Sequence, residues 1–252
     1  MIDYAGLMTK AAMLRKKLGE DSDSPIDVFA LAQRIEGLSL VYYPLGENLS
    51  GMCIKGQGEN NVVAINSTMT QGRQRFTLAH EFYHLYFDEN MVAVCEKNLY
   101  SGKDVEKSAD LFASYFLMPE AALLIMAKTL IKNSQKQQLT LEDLIHIEQY
   151  FGVSHQAIVY RLRFTPYLEQ SKADLFFNVF VRSRAEFLGY SSDLYKALPI
   201  EKQYMTYGHY IKQAEQLFSK GLISTGKYEQ LLLDAFRTDL VYGEEEDGDV
   251  ID

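Results

Sequence analysis

The 252-residue chain has few cysteines, no long apolar run and no excess of basic residues. Its two cysteines, Cys53 and Cys95, are too few for a disulfide framework, which indicates a reducing compartment. The richest apolar stretch, residues 109–127, is interrupted by Pro119 and Glu120, so it falls short of the roughly 18 uninterrupted apolar residues of a membrane-spanning helix. The first residues lack the basic-then-apolar order of a secretory signal. We therefore expect a cytoplasmic protein.

Basic charge is also scarce. The formal net charge is −9, and six of the negative charges lie within residues 244–252, which leaves the rest of the chain at about −3. Such a body lacks the broad basic surface that attracts phosphate backbones, so direct nucleic-acid binding is not expected as the main activity. A hydrophobic content of 47% and a charged content of 23% are typical of a folded globular chain.

The hydrophobic pattern predicts an α+β fold, mostly helical, with a small antiparallel sheet. Ser24, Pro25 and Gly37 have the residue types of an N-cap, a first helical position and a helix stop, and they predict a helix over residues 26–36. The predicted strands cover residues 38–43, 49–55 and 61–65, and the other predicted helices cover residues 2–18, 71–87, 103–118, 120–131, 141–151 and 154–164.

The same pattern predicts three parts. Residues 1–165 contain every chemistry-bearing cluster and form the first domain, because Thr165 precedes a proline and is therefore pushed out of helical geometry. Residues 166–240 are predicted to form a helical accessory domain, and residues 241–252 an acidic, disordered tail.

A metal-binding pattern lies inside the predicted helix 71–87. His80 and His84 are four residues apart, so both imidazoles lie on one helical face and can converge on one ion. Glu81 lies beside that position, where a carboxylate can accept a proton from activated water. The spacing predicts one Zn²⁺ per chain, held by His80 and His84, with Glu81 as general base.

A hydrolytic zinc site usually has a third protein ligand, which must come from another segment. Glu106 and Asp110 form a carboxylate pair at i and i+4 on a predicted helix. This arrangement lets Glu106 bind the metal while Asp110 orients a ligating histidine. The alternative is that Glu106 and Asp110 are both exposed charges on the protein surface. The other acids nearby are Asp88, Glu89, Glu96 and Asp104.

These segments, Arg75 to His84, Glu106 to Ala113 and Leu117-Met118-Pro119, resemble the ImmA/IrrE family of metallopeptidases over roughly residues 25–163. The resemblance implies a thermolysin-like zinc endopeptidase, with His80, His84 and Glu106 as metal ligands, Glu81 as general base and Asp110 as the orienting carboxylate. It also implies a protein substrate, typically a helix-turn-helix repressor of a mobile element, prophage or stress regulon.

One departure from the family pattern is Tyr83, where many relatives have a small residue and where a phenol would crowd or line the substrate cleft. Residues that could stabilise the oxyanion are, by chemistry alone, Tyr83, Tyr115, His146 and His155. Residues 139–163 resemble a helix-turn-helix, but their polar residues are poorly placed for reading DNA, and we expect them to close the peptidase domain.

Two other functions stay open at this point. The first is a non-proteolytic regulatory or toxin-antitoxin component with a structural zinc, which would bind a partner protein or DNA. The second is a scaffold with a vestigial motif, which would bind no metal. Metal analysis distinguishes the vestigial scaffold from the two metal-binding alternatives. Cleavage of a substrate distinguishes the peptidase from the regulatory component.

Overall fold

The computed structural model describes residues 2–57, 60–96 and 104–243. Its α-helices are α1 (Tyr4–Lys17), α2 (Val28–Arg34), α3 (Gln71–Phe87), α4 (Asp104–Leu117), α5 (Glu120–Asn133), α6 (Leu141–Phe151), α7 (His155–Leu162), α8 (Gln170–Phe176), α9 (Arg182–Phe187), α10 (His209–Ser219), α11 (Thr225–Asp234) and α12 (Thr238–Tyr242). The strands are β1 (Leu38–Tyr43), β2 (Leu49–Ile54), β3 (Asn61–Asn66), β4 (Val92–Glu96) and β5 (Met205–Gly208). The predicted α+β class is confirmed.

Local sequence signals place most helix ends. Helix α3 covers the residues predicted for it, and Thr140 caps α6 through reciprocal hydrogen bonds with Asp143. The prediction for α2 was wrong at its start. The side chain of Asp27, rather than Ser24, accepts hydrogen bonds from the N–H groups of Phe29 and Ala30, so the helix begins at Val28.

The sheet is mixed, with the strand order β4-β2-β3-β1-β5, rather than purely antiparallel. Strand β3 lies between β1 and β2, although it follows both in the sequence. It pairs antiparallel with β2 and parallel with β1. Strands β4 and β5 lie at the two edges and pair antiparallel with β2 and β1. Neither edge strand is predicted from the sequence.

Strand β5 connects the C-terminal region to the sheet. Leu40 on β1 faces Tyr207 on β5, and a side chain at Gly208, whose φ is +86°, would collide with the main-chain oxygen of Leu38. A strand from the predicted accessory domain therefore completes the sheet of the first domain. The division at residue 165 stays a prediction. Most of the predicted tail, residues 244–252, lies outside the described residues.

Helix α3 lies between the sheet and α4. Every residue from Phe76 to His84 is buried, because β2 and β3 cover one side of the helix and α4 covers another. The sequence pattern predicts burial of one stripe, whereas the fold buries this segment on all sides. The polar residues His80, Glu81 and His84 therefore lie inside the protein, where their charges need compensation.

No single helix in the described part of the chain is long and apolar enough to cross a bilayer. Helices α4 and α5 meet that length and composition only when taken together across a bend of 62°, and α4 packs against α1 and α3 in the core.

Candidate metal centre

Helix α3 brings two imidazoles together. His80 and His84 are buried, and their Nε2 atoms lie 3.1 Å apart. This is close to the separation of about 3.4 Å that two nitrogen ligands have on a tetrahedral zinc ion. Two nitrogen lone pairs that face each other at this distance need a proton or a cation between them. The pair therefore fits a metal ion.

Helix α4 adds a carboxylate at the same point. Glu106 Oε2 lies 3.3 Å from Nε2 of His80, and Glu106 Oε1 lies 3.6 Å from Nε2 of His84. The fold thus brings together the three predicted ligands, although 22 residues separate His84 from Glu106. Their role as ligands stays a prediction, and the geometry is what such a role requires.

Two further carboxylates hold the far sides of the imidazoles. Nδ1 of His80 donates to Asp110 at 2.8 Å, and Nδ1 of His84 donates to Asp88 at 2.8 Å. Both rings consequently present Nε2 to the candidate centre, as a metal-ligating histidine requires. This contact is the one that the orienting role predicted for Asp110 requires, and the role itself stays a prediction. The contact between Asp88 and His84 is not predicted from the sequence, although the spacing of four residues between them is a signal for it.

The charges around the pair favour a cation. Burial alone would lower the pKa of His80, but its hydrogen bonds with Asp110 and Glu106 raise this pKa to about 10. The hydrogen bond with His80 also lowers the pKa of Glu106. Burial and the neighbouring charge of His80 lower the pKa of His84. The site thus holds negative charge that a metal ion can neutralise.

Glu81 lies on the same helix, fully buried behind the sheet. Burial raises the pKa of its carboxyl group to about 7, while the charge on His80 and the Cys95 thiol act in the opposite direction. Gly51 on β2 makes room for it, because a Cβ there would lie 2.8 Å from Glu81 Oε1. A carboxyl group with this pKa suits proton transfer near neutral pH.

A fourth possible ligand comes from strand β4. Cys95 is buried, and its Sγ lies within 4.8 Å of one ligand atom each from His80, His84 and Glu106. Burial and the charges of Glu81 and Glu106 raise the pKa of its thiol. From the sequence alone, Cys95 bears only on disulfide formation. Its place at the centre depends on how β4 pairs, and the sequence contains no spacing signal for that.

The candidate oxyanion residues have other contacts. Both ring nitrogens of His155 are engaged, Nδ1 by Glu148 at 2.8 Å and Nε2 by the main-chain oxygen of Phe176 at 3.0 Å. His146 forms a hydrogen bond with Tyr190. Because His155 is buried at the start of α7, it cannot reach a DNA base from there.

The two tyrosine candidates pack within the protein. The guanidinium of Arg161 lies 4.3 Å from the ring centre of Tyr115. Tyr83 packs edge-on to His84, at 5.9 Å between ring centres, and is buried. It therefore supports the ring of a candidate ligand. An oxyanion role for either residue stays a prediction.

The comparison with known families agrees with this geometry. Residues 28–163, more than half of the chain, match the metallopeptidase family Peptidase M78, described as the IrrE N-terminal-like domain. No curated protein matches the chain at a significant level of similarity. The chain therefore belongs to the Peptidase M78 family.

Proposed function

We propose that this protein is a zinc-dependent endopeptidase of the reducing cytoplasm. The observation that carries the proposal is the convergence of His80, His84 and Glu106, with a buried carboxylate, Glu81, beside them. Imidazole and carboxylate ligands in a tetrahedral set are typical of catalytic zinc sites. A bound zinc ion would supply polarisation of the scissile carbonyl and activation of water.

The residues of the chain divide the remaining work. Asp88 and Asp110 keep the two imidazoles in the tautomer that presents Nε2. A carboxylate oxygen of Glu81 accepts the proton of the attacking water and later delivers it to the leaving amine. The donor that the Glu81 carboxylate meets among the described residues is the weak S–H group of Cys95, which leaves the carboxylate able to take up that proton.

The edge of the sheet supports a peptide substrate. Strand β4 carries Cys95 at the candidate centre and pairs only with β2 in the described sheet. Its other edge can therefore accept an extended segment by strand addition, beside the site. Because the resemblance implies a helix-turn-helix repressor as substrate, we propose that an extended segment of such a repressor is cleaved here.

Co-incubation with the repressor encoded by a neighbouring gene tests this proposal. We expect discrete fragments by mass spectrometry in the presence of Zn²⁺ and none after treatment with a chelator. The Glu81→Gln variant should retain zinc, measured by elemental analysis, and lose cleavage. If this variant cleaved as fast as the wild type, the proposed mechanism would be wrong.

A second candidate function is a non-proteolytic regulatory component with a structural metal, which would bind a partner protein or DNA. The observation that favours it is Cys95, because a fourth protein donor closes the coordination sphere, as in structural zinc sites. This function predicts bound metal without turnover on any tested repressor.

A further inference from the structure

The position of Cys95 follows from the register of strand β4. Cys95 pairs with Gly51 on β2, and paired residues of neighbouring strands face the same side of a sheet. A side chain at Gly51 would point at Thr77 and Glu81 of α3, so Cys95 also faces that helix. Val92 and Val94 alternate with it and are exposed.

An irregularity in the sheet lies beside this residue. The register of β2 against β4 shifts between Leu49 and Gly51, and the hydroxyl group of Ser50, between them, donates to the main-chain oxygen of Cys95 at 3.3 Å. Such bulges re-aim side chains at the edges of sheets. The irregularity and the hydrogen bond place the main chain of β4 where Cys95 meets the candidate centre.

The four donors lie close enough together to share one metal ion. Nitrogen, oxygen and sulfur ligands of one tetrahedral zinc ion lie about 3.3 to 3.6 Å apart. The two Nε2 atoms lie 3.1 Å apart and Glu106 Oε2 lies 3.3 Å from Nε2 of His80, close to this range, and the Cys95 sulfur is within 4.8 Å of one ligand atom of each of the three residues. Cys53, the other cysteine, is also buried in the sheet but is outside this group of described residues.

We propose that Cys95 is a fourth protein ligand of the metal and that it holds the resting site closed. Coordination replaces the S–H bond by a sulfur–metal bond and releases one proton to solvent. Turnover then requires that Cys95 leave the fourth position, where the peptidase needs water. Strand β4 lies at the edge of the described sheet and pairs there with β2 alone, so this is the one ladder that must open for Cys95 to withdraw. The claim that Cys95 closes the resting site rests on the proposed peptidase function. The claim that Cys95 is a metal ligand does not.

Optical spectroscopy with Co²⁺ in place of zinc tests the assignment. A thiolate ligand gives a near-ultraviolet sulfur-to-cobalt charge-transfer band, which imidazole and carboxylate ligands do not. We expect the band in the wild type and in the matched control Cys53→Ala, and its loss in Cys95→Ser and Cys95→Ala. Because the chain has two cysteines, a band retained in Cys53→Ala comes from Cys95 even if both Cys95 variants fail to fold.

Absence of the band from the wild type, or its loss in Cys53→Ala with retention in Cys95→Ser, would overturn the assignment. Zinc affinity gives a second measurement. Loss of an outer carboxylate already weakens metal binding about 10- to 100-fold, so loss of a direct ligand should weaken it at least tenfold. Unchanged affinity in a folded Cys95→Ser variant would also count against the assignment.

Cleavage of the repressor encoded by a neighbouring gene separates the ligand assignment from the proposed peptidase function. At saturating zinc, we expect Cys95→Ser to cleave faster than the wild type, and slower cleavage would contradict the closed resting site. A thiolate band without cleavage by any variant would support the ligand assignment while rejecting the peptidase. Chelator-sensitive cleavage without the charge-transfer band would support the peptidase and reject Cys95 as a ligand.

Discussion

At the scale of single residues, the site depends on acids that lie outside the metal-binding motif. The H-E-x-x-H spacing is local, so the sequence alone predicts that His80 and His84 share a helical face. Asp88 follows the last residue of α3, and its reach back to His84 depends on where the helix ends. Cys95 depends on strand pairing across the sheet. Sequence spacing therefore predicts that His80 and His84 converge, but it does not predict the contacts of Asp88 and Cys95.

Asp88→Asn tests the unpredicted contact. The amide cannot accept the hydrogen bond of His84 with the strength of a carboxylate, so the imidazole loses both orientation and basicity. We expect zinc affinity, measured by competition with a chromophoric chelator, to fall about 10- to 100-fold. Glu89→Gln removes the neighbouring exposed charge and serves as the control. Equal affinities in the two variants would exclude this role for Asp88.

At the scale of elements, local signals predict the helices well and the edge strands poorly. Helix α3 has the predicted ends because its pattern extends over 17 residues. Strands β4 and β5 have only five and four residues, and their existence depends on partners far away in the sequence. Capping chemistry also leaves alternatives, since both Ser24 and Asp27 are N-cap residue types and the structure uses Asp27.

Close contact between β2 and α3 predicts a large effect of Gly51→Ala. The new Cβ would lie 2.6 Å from Thr77 Cγ2 and 2.8 Å from Glu81 Oε1, so strand and helix must separate. We expect a loss of about 1 to 3 kcal/mol in the free energy of unfolding. Cleavage should fall more than zinc binding, because the new Cβ meets Glu81 directly and neither histidine is among the atoms nearest to it. Gly226→Ala, which meets open space in α11, is the control in denaturant titrations and cleavage assays.

Helix α1 is joined to α4 through one buried guanidinium. Arg15 donates to the main-chain oxygens of Phe116 at 2.6 Å, Ser24 at 2.6 Å and Asp21 at 2.7 Å. Arg15→Met leaves these acceptors without their donor, so we expect the free energy of unfolding to fall by about 3 kcal/mol. Lys16→Met changes the next, exposed residue and should have little effect. Similar unfolding midpoints for both variants would contradict this account.

At the scale of the whole molecule, the candidate centre and the sheet join segments that are distant in the sequence. The four donors come from α3, β4 and α4, and β5 brings the C-terminal region to β1. The sequence predicts a boundary at Thr165 because proline disfavours helix there, but such local signals carry no information about strand pairing. The buried contact of His155 with Glu148 and with the main chain of Phe176 adds a second link to that region.

A metal ion at this centre should therefore stabilise the whole fold. A ligand that binds the native state alone adds about 2.7 kcal/mol at a free concentration of 100 Kd. For a chain of this size, each kcal/mol raises Tm by roughly 2 to 4 °C, so saturating Zn²⁺ should raise Tm by about 5 to 10 °C. Calorimetry of the chelator-treated protein, with and without Zn²⁺, measures this shift.

Two variants separate the ligands from the proposed base in the same experiment. His84→Ala should lose the zinc-dependent rise in Tm, because it removes a ligand atom that lies 3.1 Å from His80 Nε2 and 3.6 Å from Glu106. Glu81→Gln should keep the rise, since Glu81 is not among the described residues that surround the centre as donors. A rise that persisted in His84→Ala would place the zinc elsewhere. A rise lost in Glu81→Gln would make Glu81 part of the binding site rather than the proton acceptor beside it.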